Sequence, residues 1–571
     1  MRNILFAMKM KPMKFLLRAA LAMILGACLS AQASTIGQPD AGQTSRELQK
    51  QPELNPPKAV APLRSKVEST PSSTANDSMR IAVKAIHVSG SRVYPASELE
   101  ALVVNLIGGD HTFAELEAGV ARITAYYREH GYVVARAYLP AQDIKDGVIV
   151  INVLEGLVGQ QRINNQSRLS DDLANGYLSS IKSGDVLQSR TVDRALLLLN
   201  DTPGVGGARA TLQPGASVGT SDLLIELDPS APYTANVELD NYGNRYTGEY
   251  RLGAVLGFNS PLKKGDQLIV RALVSDQHMS YARIAYQIPL GSSGLHVGAA
   301  YSDTRYKLGQ EFSGLQARGS AISSSLYAVH PFIRSQPRNL SGTLTWEDKK
   351  LNDQTGAPIS SVDKHVQLAN FGLNGNRQDA LGGGGINSFD LSLVSGNLSM
   401  DPTSLVDDSK PNSAHSNGSF VRFTYNLSRL QRLTETDMLS LALSGQQADK
   451  NLNSSEKFSL GGANGVRAYP QGEGSGDEGW LVNLEFRRGF NDALQGVIFY
   501  DAGSVTINRN PFAVSSNNRT LTGAGFGTNA NFSGLQLKAY LAWHGSGGQP
   551  TSEPAAINHS PRVWVQAGKQ F

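Results

Sequence analysis

Arg562-Val-Trp-Val-Gln-Ala-Gly-Lys-Gln-Phe571 closes the chain, a short alternating strand with an aromatic residue at its end. The opposite end has the layout of an export signal. Arg2, Lys9, Lys11, Lys14 and Arg18 form a basic region, Ala19 to Leu29 is apolar, and Ala31-Gln-Ala33 offers small residues for cleavage after Ala33. Leu25-Gly-Ala-Cys28 is the competing reading, a lipoprotein box ending on the single cysteine of the 571 residues. An exported chain ending in an alternating strand points to an outer-membrane β-barrel. Extended backbone survives in a bilayer only when every edge is paired by closure.

Working outward, period-two alternation fills the C-terminal part of the chain. Tyr250, Leu252, Ala254, Leu256 and Phe258 alternate with Arg251, Gly253 and Gly257, and Val421, Phe423, Tyr425 and Leu427 with Arg422, Thr424, Asn426 and Ser428. Leu535, Leu537, Ala539, Leu541 and Trp543 continue the pattern near the end. A soluble sandwich would alternate in the same way, so the signal and terminal Phe571 carry the assignment to lipid. Residues 231–571, at roughly 20 per strand and connection, predict about 16 antiparallel strands and a lumen wide enough for an extended chain.

The preceding segments read differently. Residues 34–51 are polar, with a short helix expected over Asp40 to Gln51, and residues 52–79, containing Pro56-Pro57, read as linker. Residues 80–156 form an α+β unit. Ile81 to Val88 is strand-like, and Leu99, Leu102, Val103 and Leu106 mark one helix face ending at Gly108-Gly109. Thr112-x-x-Glu115 is a capping box for a second helix with the stripe Leu116, Val120, Ile123 and Tyr127. Strands at Tyr132 to Leu139 and Gly147 to Val153 complete the order β-α-α-β-β. Residues 157–230 repeat it more weakly, so two tandem small domains are expected.

Composition narrows the function. Removing residues 1–33 takes away five basic and no acidic residues, so the formal charge moves from +3 to −2, which argues against a nucleic-acid partner. No later stretch suits a spanning helix. The glycine clusters Gly382 to Gly385, Gly472-x-Gly-x-Gly476 and Gly523-x-Gly-x-Gly527 lack the Lys-Ser/Thr of a phosphate loop. Ten histidines are scattered without metal-ligand spacing, and no Gly-x-Ser-x-Gly elbow occurs. Neither an enzyme nor a metal or other cofactor is expected.

Several motifs resemble a known family. Tyr132-Val-Val-Ala-Arg-Ala-Tyr-Leu-Pro-Ala-Gln-Asp143 followed by Gly147-x-Ile149-x-Ile151-x-Val-Leu-Glu-Gly156 is similar to the first POTRA domain of the two-partner secretion transporters, the TpsB proteins of the ShlB/FhaC/HecB group. Pro331-Phe-Ile-Arg-Ser-Gln-Pro-Arg-Asn-Leu340, Tyr425-Asn-Leu-Ser-Arg-Leu-Gln431, Gly465-Val-Arg-Ala-Tyr-Pro470 and Phe499-Tyr-Asp-Ala-Gly503 resemble barrel motifs of the same family. Ala468 stands where the wider superfamily more often has Gly.

The resemblance implies a plug helix within 34–51, a linker, two periplasmic POTRA domains at 80–156 and 157–230, and a pore that exports a large partner exoprotein with an N-terminal secretion domain. It further implies that a loop near 460–480 folds into the lumen, where Arg467 of Val466-Arg467-Ala468-Tyr469 pairs with Asp501 on the wall. The strand Val133 to Leu139 is the expected edge for strand addition. Val133, Ala135, Ala137 and Leu139 would pack inward, and Tyr132, Val134, Arg136 and Tyr138 would face the partner. Periplasmic chaperones, the barrel-assembly machinery and the lipid bilayer complete the expected partners of a monomer. An insertase with additional POTRA domains and a diffusion porin are the alternatives.

Overall fold

The computed structural model describes residues 38–49, 64–65, 80–144, 146–512, 516–557 and 559–571. The expected signal at 1–33 and nearly all of the expected linker at 52–79 lie outside them. Sixteen antiparallel strands, from Tyr233–Asp240 to Arg562–Gln570, close into a barrel of the expected class. The terminal stretch makes the closure. Five residue pairs run from Asn236↔Gln570 to Asp240↔Gln566. Beyond them Asn241 continues the seam with its side chain, which donates to Val563 O at 2.8 Å and accepts from Val565 N at 2.8 Å.

Alternation places the two faces as expected. Leu252, Leu256, Phe258, Val421, Phe423, Leu427, Trp543, Val563 and Val565 are exposed on the outer, lipid-facing side. Among the described residues, no helix is long and apolar enough to cross a membrane. The wall is uneven in height. The first four strands have 8 to 10 residues, whereas Arg338–Gly356 and Ile359–Asp379 have 19 and 21. The tall hairpin turns at the end away from the α+β units.

In the first unit, the strand expected over Ile81 to Val88 divides at Lys84. Lys84 N and Ala85 N both point at Gly147 O. Arg80–Val83 pairs with Gly109–Thr112, and Ala85–Ser89 pairs in parallel with Val148–Leu154. The first helix is also shorter than its stripe suggests, Ala96–Ala101 followed by a 3-10 turn at Val104–Leu106, although Leu99, Val103 and Leu106 are buried as the stripe requires. β-Branched Val103 and Val104 weaken the helix where it breaks. The second helix, Phe113–Glu129, starts on the expected reciprocal box. Glu115 N donates to Thr112 Oγ1 at 3.3 Å and Thr112 N to Glu115 Oε2 at 2.9 Å.

The second unit comprises Leu157–Asn165, Asp171–Leu178, Ser189–Asp201, Val205–Pro214 and Thr220–Pro229. Its sheet repeats the order of the first, with the last strand lying between the initial strand and the penultimate one on its outer side. In the second unit that outer strand also carries the two-residue strand Arg64–Ser65 in parallel.

Candidate functional site

The 29 residues between the strands Asp437–Ala448 and Glu478–Gly489 form a loop that turns back into the barrel. A two-pair hairpin, Phe458–Ser459 with Ser475–Gly476, closes its neck. At its tip, Arg467 and Asp501 are brought together. Arg467 Nε donates to Asp501 Oδ2 at 2.9 Å, Nη2 to Oδ1 at 2.7 Å and the backbone N to Oδ2 at 3.1 Å. Their side chains are 5% and 0% exposed. The forked contact matches guanidinium to carboxylate geometry, and a pair so enclosed depends on every remaining donor finding an acceptor.

Nη1 of Arg467 finds one in Glu485 Oε1 at 2.6 Å. Asn483 Nδ2 ties the wall to the loop, donating to Asp501 Oδ1 at 2.8 Å and to Gly465 O at 2.9 Å. The Trp564 indole donates to Arg467 O at 2.7 Å, so the terminal strand also holds the tip. Tyr469 Oη lies 3.1 Å from Ser546 O and 3.0 Å from Gly548 O, which share its one proton. Val466 and Ala468 are fully buried in the same cluster. Ala468 is tolerated because the facing wall position is Gly523, where a Cβ would stand 2.6 Å from that of Ala468.

On the strand Leu494–Thr506, Ile498 and Tyr500 face lipid while Phe499, Asp501 and Gly503 face inward. An inward Phe499 is no conflict, because the Arg467 guanidinium lies 3.5 Å from its ring centroid. Flat stacking and a forked ion pair suit arginine and not lysine.

A second fixed point holds the loop's other shoulder. Glu456 is ion-paired with Lys349 at 3.0 Å and with Arg422 at 2.9 Å, residues of the seventh and tenth barrel strands. Glu473 is buried too, and takes Arg519 at 2.8 Å together with the backbone N–H groups and hydroxyls of Thr551 and Ser552. Glu485, Asn483, Trp564, Glu456 and Glu473 were not among the expected site residues. For Asn483 and Glu485 the signal was their shared parity on a strand whose Trp480 and Leu484 face lipid.

The helix Ala41–Gln49 lies inside the barrel beside this loop. Ala41 N donates to Asp353 Oδ1 at 2.8 Å and Ser454 Oγ donates to Asp40 Oδ2 at 2.6 Å. Among the described residues, no cluster of three or more His, Cys, Asp or Glu is placed to hold a metal ion.

A profile described as haemolysin secretion/activation protein ShlB/FhaC/HecB matches residues 219–530. The chain belongs to that family. This ShlB/FhaC/HecB-family protein is an outer-membrane transporter of the two-partner secretion type. A POTRA domain of ShlB type matches residues 81–156. The chain is similar to the heme/hemopexin transporter protein HuxB of Haemophilus influenzae (strain 86-028NP), 30% identical over 505 residues that cover 87% of this chain and 88% of that protein. It is also similar to the outer membrane transporter CdiB of Dickeya dadantii (strain 3937), 23% identical over 66% of this chain and 68% of the other. In fold it resembles the solved structure of CdiB from Escherichia coli, with TM-score 0.69, 20% identity and coverage of 99% and 100%.

On the transporter's POTRA domain the expected strand Tyr132 to Leu139 contracts to Arg136–Tyr138, which is an edge of its sheet. Ala135 N bonds back to Tyr132 O, a turn that breaks the alternation before Arg136. Tyr132 therefore packs edge-on against Tyr94 and Tyr127, Val134 packs on the core of the second unit, and Val133 is exposed. Ala135 and Ala137 are buried and Leu139 is half-buried against the helices as expected, leaving Arg136 exposed and Tyr138 half-buried.

Proposed function

We propose that this transporter receives a large unfolded exoprotein on periplasmic POTRA domains at 80–156 and 157–230 and passes it outward through the barrel. On this reading the helix Ala41–Gln49 plugs the resting pore. The loop tip, held by Arg467 and Asp501, sets the depth of the constriction, and both yield when the partner's N-terminal secretion domain docks. The observation that carries it is the placement of a short helix and a long loop together in the bore of a closed sixteen-stranded wall. Such contents suit a gated passage better than an open diffusion channel.

Docking by strand addition would use the sheet edge Arg136–Tyr138, with Arg136 and Tyr138 as contacts, since an edge strand can take up an extended segment through main-chain hydrogen bonds. The protein would act without catalysis, drawing its driving force from folding of the cargo outside. It would work as a monomer, delivered to the membrane by periplasmic chaperones and the barrel-assembly machinery.

Arg467→Ala tests the reading. It strands Asp501 in a nearly dry site, at a cost of roughly 3–5 kcal/mol. Secretion of a co-expressed partner should fall sharply while the barrel still inserts and keeps its heat-modifiable mobility. Export at the wild-type level would remove the assigned role.

A further inference from the structure

The N-terminal helix is seated against both the loop and the barrel wall. Its residue Gly42 meets the shoulder Ser454–Glu456 so closely that a Cβ would lie 2.4 Å from Ser454 Oγ and 2.7 Å from Ser455 N. Arg46 donates to Lys457 O and, at 3.3 Å, to Ser475 Oγ, both on the neck of the same loop. At the helix start there are direct bonds to the wall, Ala41 N with Asp353 and a 3.9 Å pair of Asp40 with Lys364.

The shoulder in turn is tied to the wall by the Glu456 carboxylate, with Gln446 Nε2 donating to Glu456 O at 2.8 Å and Lys457 Nζ to Ile507 O at 2.7 Å beside it. Glu456 Oε1 accepts from Lys349 Nζ at 3.0 Å and from Ser455 Oγ at 3.0 Å, and Oε2 accepts from Arg422 Nε at 3.0 Å. These wall strands are distinct from those that hold the tip, which are the twelfth, thirteenth and sixteenth. The loop is thus pinned separately at its shoulder and at its tip, with the Glu473 pair to Arg519 as a further anchor. Arg46, within electrostatic reach of Glu456 and Arg422, is buried with Nη2 unpaired. Without the Glu456 charge, Lys349 would keep Glu347 at 3.4 Å, and Arg46 would keep Glu47 and Asp40 as its nearest carboxylates, so the loss falls on Lys349 and Arg422.

We propose that Glu456 is the positioning residue that retains the helix in the bore. It clamps the shoulder on which the helix sits, so the helix can be released while Arg467 and Asp501 stay joined. This rests on the reading of the helix as a plug. The buried cations tolerate the clamp only while it is charged, because a buried ion that loses its partner is strongly disfavoured.

The test uses the full chain in planar bilayers and needs no cargo. Glu456→Gln should raise the open probability several-fold over wild type, and Glu456→Asp should lie between them. In a Cys28→Ser background, Thr44→Cys on the buried face of the helix should react with a bulky maleimide about tenfold faster when Glu456→Gln is added. Gly42→Val, which spoils the seat and leaves the Glu456 pairs intact, should produce the same release and decides the matter if Glu456→Gln fails to fold. Folding is read from heat-modifiable mobility. Wild-type conductance and labelling in folded Glu456→Gln, or in Gly42→Val if that variant must decide, would overturn the proposal. A wild-type chain that conducts but exports no partner would sink the secretion reading and leave this inference standing.

Discussion

The two α+β units share one strand order and differ in how they are attached. The second is bolted to the barrel base. Arg334 Nε and Nη2 grip Asp201 at 2.6 and 2.8 Å, Arg194 donates to Pro331 O at 3.1 Å, Arg168 to Asn259 O at 3.2 Å, and Ser170 N to Lys263 O at 3.0 Å. The first is joined through the second, by Ser189 N to Gly131 O, Leu187 N to Gly156 O and the packing of Val134. One fold therefore serves as a rigid mount and as an outer arm, and the difference lies in side chains at the joints.

The largest effect that would probe this division comes from unfolding the arm alone. Ile123→Asp places a charge in a fully buried apolar site and should cost more than about 4 kcal/mol, enough to unfold the first unit. Partner export should vanish while the barrel keeps its heat-modifiable mobility; loss of the barrel as well would show that the units are not separable.

Loosening the mount comes next. Arg334→Ala leaves Asp201 unpaired, at a cost of roughly 1–3 kcal/mol, below the fully buried range because Asp201 keeps 32% exposure. Limited proteolysis at the joint should quicken several-fold, and Asp201→Ala should match it with little added effect in the double variant. Additive effects would mean the pair is not the bolt.

The smallest effects lie within the arm. Thr112→Ala removes a helix cap and should lower the first unit's stability by about 1 kcal/mol, seen by denaturant unfolding, with the mount unaffected. The Glu115 carboxyl of that box is held below its ordinary value, first by the Thr112 N–H it accepts and then by His111. A depressed carboxylate stabilises fully above its unfolded value and loses that contribution as pH falls through the folded one. Between about pH 5 and 3 the wild type should therefore lose stability more steeply than Glu115→Gln. Parallel curves would remove the box from the acid response.

Local signals were legible in the residues. The capping box, the stripe Leu116, Val120, Ile123 and Tyr127, and the strand parities read directly because each is set by neighbours a few positions apart. The pairing of Arg467 with Asp501 followed from family motifs, and parity alone supported half of it. What escaped was set by closure. The Trp564 indole reaches Arg467 O, and Glu456 finds Lys349 and Arg422, only after distant strands meet around the bore. Tyr132 and Val134 were misplaced for a smaller reason, a turn at Tyr132 to Ala135 that no glycine or proline announces.

The unequal wall gives the cylinder a bevelled rim. Strands of 19 and 21 residues stand opposite ones of 8 and 9, a difference of order 30 Å after allowing for tilt. A polypeptide leaving such a spout has a steep bank on one side and a low one on the other. Its first folding contacts would form away from the steep bank, so the direction of departure is built into the height of the hairpin.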